Sequence, residues 1–309
     1  MLIEPLLSQV VFTVESGLLL LAVAILLGPA LAERLRIPGL VGLIFIGMVF
    51  GPFVLNWMVA GGLVATVGAA GLLYLMFLAG IELDLATFAD NRRAAVTFGL
   101  LTFAIPFTIS FVVGIQYLDM SLIGAALVGA MWASHTIVAY PEVKTAGLDT
   151  NRAVGSAVAS TVITDVLALI ILAVAASSTS LQAEPTTRAG GHEDALLPLP
   201  LGLIVLAFFT LWLLPRIARW AFTHFGRSRT QRFIIALGAM AAGGVVSLLG
   251  GIEGLVGAFL AGIGLNRLVP GRGALMERIE FFGAALFVPA FLISVGLSID
   301  PLALIEGET

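Results

Sequence analysis

The stretch Ala153–Ala176, AVGSAVASTVITDVLALIILAVAA, decides how the chain is read: 24 residues, apolar except for a few hydroxyls and one acid, Asp165. A run of about 20 apolar residues is long enough to cross a bilayer as a helix. Asp165 stands near its centre, about a dozen residues from Arg152 on one side and from the polar run starting at Ser177 on the other. An aspartate side chain is too short to reach the headgroups from that depth, and a charge there costs about 2.5–3.5 kcal/mol on insertion scales. Residues kept at such a cost usually line an ion or proton pathway. The alternative is a carboxyl held neutral as packing glue within a helix bundle.

The rest of the chain has the same character. Apolar residues make up 60% and charged ones 11% of 309 residues, against about 25% charged in soluble domains, and the mean hydropathy is +1.10. This is the composition of an all-α polytopic membrane protein, a single transmembrane domain over residues 1–309. The net charge of −4 and the lack of a basic tract give no sign of a nucleic-acid partner, and nothing calls for a cofactor. There is no cysteine, so disulfide and thiolate chemistry are excluded. The first fifteen residues hold Glu4 and Glu15 and no Lys or Arg, unlike the basic start of a cleavable signal.

Apolar runs bounded by charges or Pro/Gly clusters predict ten spans, near 16–32, 39–57, 62–82, 94–117, 120–140, 153–176, 199–221, 232–249, 253–267 and 280–299. Their connections put every Lys and Arg on one face except Arg188. Such asymmetry marks the basic face as cytoplasmic, so both termini are expected outside, in a multi-pass inner (plasma) membrane protein. The long outer loop, Ser177–Leu197, carries His192, Glu193 and Asp194. No further ligand has suitable spacing, so these read as solvated residues and not as a metal site.

Two patterns recur. Val41-Gly42 with Gly47 matches Val256-Gly257 with Gly262, and Gly80-Ile81-Glu82-Leu83-Asp84 matches Gly296-Leu297-Ser298-Ile299-Asp300, at offsets of 215 and 216 residues. Each offset is seven spans, an odd number, which reverses direction across the membrane; inverted-topology repeats of this kind belong to secondary transporters. The repeat also predicts three further spans after the tenth, so the chain is expected to hold ten of thirteen. Gly250, Gly254, Ala258 and Gly262 fall every four residues, a spacing that lets helices approach closely. Glu82, Asp84, Glu253, Glu277 and Glu280 fall at span ends and are expected to be interfacial.

Span five, GAMWASHTIVA from Gly129 to Ala139, is interrupted by Ser134-His135-Thr136. Broken helices at membrane depth offer carbonyls and hydroxyls to a cation. In span six Thr161 and Asp165 are four apart and share a helix face, with Thr164 beside the carboxylate. Ser134, Thr136, Thr161, Thr164 and Asp165 therefore form the candidate cation and proton site, since a hard monovalent cation prefers oxygen ligands. For the threonines the competing role is a bond back to the preceding turn. His135 is a candidate gate or pH sensor, or else a neutral hydrogen-bonding residue at the break.

The run Pro38-Gly39-Leu40-Val41-Gly42 through Gly47 to Gly51-Pro52 resembles the second span of monovalent cation:proton antiporters. So do Phe77–Asp84 in span three, Gly257–Gly262 in span nine, and Phe287-Val288-Pro289 through Val295-Gly296-Leu297 to Asp300 in span ten. The branch it most resembles contains sodium/proton antiporters and the glutathione-gated potassium efflux systems. The resemblance implies that Asp165 binds Na+ or K+ and H+ alternately, that Thr161 matches a hydroxyl ligand, and that Ser134–Thr136 match the first of two crossed, broken helices. Thr164 stands where relatives carry Asp, Asn or Gln, so the two-aspartate signature of electrogenic exchange is absent. A homodimer is expected on the same ground. The family pattern continues with a basic helix, a second broken helix and a final span, and the gated systems add a nucleotide-binding domain; this sequence contains none of these. A non-transporting truncated relative, acting as a membrane subunit or sensor, is the alternative. An intramembrane hydrolase, the enzymatic option, fits poorly with one deep carboxylate and no His/Glu zinc pattern.

Overall fold

A computed structural model of the chain describes residues 14–58, 62–82, 92–134, 152–180, 199–269 and 273–302. Among these every regular element is helical and none is a strand. Each expected span meets one helix: α1 (Val14–Arg34), α2 (Gly39–Phe50), α3 (Gly62–Glu82), α4 (Arg92–Tyr117), α5 (Leu122–Ala133) and α6 (Arg152–Ser180). α7 follows in three consecutive pieces, Leu199–Phe208, a π-helical turn Phe209–Leu213, and Leu214–His224. Then come α8 (Arg229–Leu249), α9 (Gly254–Leu265), and α10, again in three pieces: Ala274–Phe282, a π-helical turn Gly283–Phe287, and Val288–Leu297.

Among the described residues six helices, α1, α3, α4, α7, α8 and α10, are long and apolar enough to cross a membrane. Leu18, Leu19, Leu26, Leu101, Ile105 and Ile109 are among their exposed residues, as expected where lipid and not water is the solvent. The protein is a multi-pass membrane protein.

Span two differs from expectation, its helix ending at Phe50 and not near residue 57. α5 stops at the expected interruption, Ser134, and α9 lies within two residues of span nine at each end. All three helices have twelve residues, about 18 Å long against a hydrocarbon core of about 30 Å. At Gly51 the backbone turns extended, and Pro52 follows. Residues 51–58 then fold back, with the Asn56 N–H on the Gly51 carbonyl (2.8 Å) and the Met58 N–H on the Phe50 carbonyl (2.9 Å). Asn56 adopts a left-handed φ of 52°, and Met58 returns to the interior. The turn thus satisfies its own backbone, the condition for irregular chain at membrane depth. α5 stops where Ser134 becomes extended, and α9 is bounded by turns.

The chain divides into two compact units. The first comprises Met1–Ile81, Thr210–Ala242 and Ala258–Thr309; the second comprises Glu82–Phe209 and Gly243–Gly257. In the first, a core of Leu21, Leu43, Ile46, Phe50, Ile293 and Leu297 joins α1, α2 and α10. Two helix crossings there have nearly the same construction. On α2 and α10, a methyl group at Gly47 would overlap the Ile293 carbonyl and one at Gly296 would overlap the Ile44 carbonyl. On α3 and α9, a methyl at Gly80 would overlap the Phe259 carbonyl and one at Gly262 would overlap the Phe77 carbonyl. These are the glycines singled out by the sequence repeat. The Asn266 side-chain amide also donates to the Ile81 carbonyl across the second crossing.

Each π turn is followed closely by a proline, Pro215 or Pro289. Proline has no N–H to return to the preceding turn, so the ladder is disturbed just upstream. Both turns carry close contacts: a methyl at Gly264 would overlap the Thr210 carbonyl, and one at Gly71 the Phe287 carbonyl. Tyr74, wholly buried, stacks on Phe287 with centroids 4.4 Å apart and donates its hydroxyl hydrogen to the Ile279 carbonyl at 2.7 Å. Replacing Tyr74 with Phe keeps the ring and removes that bond. A loss of about 1 kcal/mol is expected, read as a fall of a few degrees in the melting temperature of the detergent-solubilised protein.

Candidate functional site

The second unit contains α4, α5 and α6, which pack on one another. Small residues bring them close. A methyl at Gly99 of α4 would sit 3.0 Å from Ile163 Cβ and 3.1 Å from the Ser160 carbonyl of α6. A methyl at Gly129 of α5 would meet the Phe107 ring of α4 at 3.0 Å. α5 starts on a capping Ser121, whose side chain accepts from the Gly124 N–H at 3.1 Å, and ends with the Ser134 N–H on the Ala130 carbonyl at 2.9 Å.

Ser156, Ser160 and Thr164 recur every four residues and so form one stripe along α6. Ser160 and Thr164 are fully buried. Both bond back to the preceding turn, Ser160 Oγ to the Ala157 carbonyl at 2.7 Å and Thr164 Oγ1 to the Thr161 carbonyl at 2.9 Å. A hydroxyl that has donated its hydrogen still has lone pairs to offer, so back-bonding leaves Thr164 able to accept a cation. Thr161, half-buried, and Asp165 lie four apart on the neighbouring stripe of the same helix.

The structure thus places Thr161, Thr164 and the backbone of Asp165 within two turns of α6, and Ser134 at the C-terminal end of α5. The Asp165 side chain lies outside the described residues, as do His135, Thr136, His192, Glu193 and Asp194. Ser160 is the polar residue that the sequence reading passed over. Its signal in the sequence is the four-residue spacing of hydroxyls, Ser156, Ser160 and Thr164.

Glu253, expected at a span end, is half-buried. It sits in the turn between α8 and α9, where its carbonyl accepts from Ser247 Oγ at 2.7 Å. Among the described residues no group of three or more His, Asp or Glu could hold a metal ion.

A helical membrane protein with glycine-welded short helices and an acid midway along a hydroxyl-bearing helix has the makings of an ion transporter. The family model for the transmembrane sodium/hydrogen exchanger matches residues 21–308. The chain belongs to that family. It is 34% identical over 294 residues to the Na(+)/H(+) antiporter NhaS5 of Synechocystis sp., covering 93% of this chain and 40% of the relative. It is 26% identical over 293 residues to a Na(+)/H(+) antiporter of Enterococcus hirae, covering 92% of this chain and 72% of that one. With the Na(+)/H(+)-K(+) antiporter GerN of Bacillus cereus it shares 28% identity over 276 residues, covering 87% of this chain and 67% of the relative.

Proposed function

We propose that the chain forms a single transmembrane domain that exchanges Na+ or K+ for H+ at a site built around Asp165. The observation that carries this is a lone acid midway along α6, within the span matched by the exchanger family and beside a buried hydroxyl stripe. Relatives named as Na(+)/H(+) and Na(+)/H(+)-K(+) antiporters support the choice of ions. In so apolar a setting one carboxylate holds either a proton or a cation, never both, and this competition couples the two fluxes. One carboxylate gives a stoichiometry of one to one, with no net charge moved. Thr161 and Thr164 of α6 and Ser134 and Thr136 after α5 supply neutral oxygens, while His135 gates the break or senses pH. No covalent chemistry is needed, and the protein works as a transporter and not as an enzyme.

Alternating exposure would come from motion of the site helices against a rigid panel. The paired crossings support an inverted repeat in that panel. α2 and α9 both have twelve residues, both begin Gly-Leu-Val-Gly, and start 215 positions apart. A two-fold relation of α2–α3 to α9–α10 exchanges the Gly47–Gly296 crossing with the Gly262–Gly80 crossing. We place the protein in the inner membrane as a homodimer, with the N-terminus outside and the arginine-rich connections in the cytoplasm.

Purified full-length protein in proteoliposomes, given an inward Na+ or K+ gradient, is expected to drive outward proton movement that an internal pH dye records. Equal dye signals with and without each cation would overturn the proposal. Thr164→Val removes the hydroxyl oxygen from this set. An apparent cation affinity about tenfold weaker with maximal flux retained is expected, the equivalent of about 1.4 kcal/mol. Thr164→Ser should restore it.

A further inference from the structure

We infer that the exposed arginine stripe ending α7 is a binding surface for anionic phospholipid. Residues 214–232, LPRIARWAFTHFGRSRTQR, carry five arginines and no acid. The helical piece Leu214–His224 is sharply two-faced: Leu214 and Ala218 are buried, whereas Arg216, Arg219 and Trp220 are exposed. Arg216, Arg219, Trp220 and Thr223 follow the i, i+3, i+4, i+7 spacing of one helix face.

Arg216 is held ready for a ligand. Its guanidinium carbon lies 3.8 Å over the Trp212 ring, and one N–H donates to the Trp212 carbonyl at 2.7 Å. The remaining N–H groups of that planar fork suit a phosphate, which guanidinium recognises with two parallel bonds. Trp220 meets Phe225 edge-on at 5.4 Å, giving the stripe an aromatic end. Beyond the helix, Arg232 Nε donates to the Gly226 carbonyl at 3.0 Å. Arg278 of α10 donates to Thr230 Oγ1 at 3.3 Å, adding a sixth arginine beside the 214–232 segment.

The ligand must offer apolar substance as well as negative charge, because Leu211, Ile217 and Phe225 are exposed on the same stretch. A phospholipid has both, with acyl chains along the apolar side chains and its phosphate at the guanidinium groups. A free phosphate ion or a soluble acidic partner would leave the apolar residues uncovered. Arginines beside an amphipathic helix attract anionic lipid at the membrane surface.

Native mass spectrometry of the full-length protein, equilibrated in micelles with equimolar dioleoyl phosphatidylglycerol and dioleoyl phosphatidylcholine, tests the assignment. Retention of phosphatidylglycerol about tenfold over phosphatidylcholine is expected, and melting curves should rise with the first lipid only. The variant R216Q/R219Q is expected to lose both effects, whereas Arg34→Gln, at the end of α1, keeps them. Equal retention of the two lipids by the unaltered protein would overturn the proposal whatever the variants do. So would full selectivity in R216Q/R219Q, or a melting shift of the same size from inorganic phosphate alone.

Discussion

Asparagine in place of Asp165 is expected to abolish cation-dependent proton flux in proteoliposomes while the protein still folds. The two side chains are nearly the same size, so packing in α6 is preserved. Asparagine can neither ionise nor take up a proton near neutral pH, so it removes both halves of the exchange at once. In the proposed mechanism a cation entering the site would lose the counter-charge that Asp165 supplies. Leaving a buried charge unpaired costs about 3–5 kcal/mol, which corresponds to a loss of roughly two to four orders of magnitude in occupancy. The readouts are dye-recorded proton flux and the melting temperature. Flux within a factor of two of the unaltered protein would remove Asp165 from the mechanism. Flux lost together with the fold would assign it to packing.

The second large effect is expected at the glycine crossings. Valine at Gly80 or Gly262 would drive carbon into a backbone carbonyl of the facing helix, and backbone, unlike a side-chain tip, cannot swing aside. Overpacking typically costs about 1–3 kcal/mol and occasionally more. Here α3 and α9 would have to separate, which would also break the bond from Asn266 to Ile81. Gly80→Val and Gly262→Val are each expected to cost about 3 kcal/mol or more, at the upper end of that range. Gly47→Val and Gly296→Val should behave alike at the matching crossing. Gly238, in the middle of α8, has nothing within 4 Å of where a Cβ would stand. Gly238→Ala should therefore be neutral or stabilising by about 0.5–1 kcal/mol. Size-exclusion profiles and melting curves of the five variants check the contrast. Equal tolerance of valine at Gly80 and alanine at Gly238 would mean that the crossings are not tightly packed.

The spans were legible because each apolar run is bounded by charge or by Gly and Pro, and all ten meet a helix. Their lengths were less legible. The apolar run containing α2 continues through Phe53, Val54 and Leu55, so hydropathy carries the span to residue 57; the helix ends at Phe50 because Gly51 turns extended and Pro52 cannot continue it. The π turns left their mark in Pro215 and Pro289, but a proline in an apolar run does not say whether it kinks, breaks or bulges a helix. The crossings were half visible. Recurrent glycines pointed to close packing, while the partner of each glycine depends on tertiary contacts.

At the site, Asp165 stood out as an isolated charge among apolar residues, and Thr161 followed from helical spacing. Ser160 was missed because a serine in a membrane helix is cheap and common, and only burial against Gly99 distinguishes it. Glu253 looked interfacial because it begins an apolar run. In the structure it is half-buried in the turn between α8 and α9.

Proton release on cation binding is the most direct test of whether one acid serves both ions. Purified protein in weakly buffered detergent solution, at uniform pH and with no gradient, is mixed with NaCl or KCl and compared with choline chloride. The account predicts one proton released per cation bound and none from Asp165→Asn. Cation binding without proton release, or undiminished release from the asparagine variant, would contradict it.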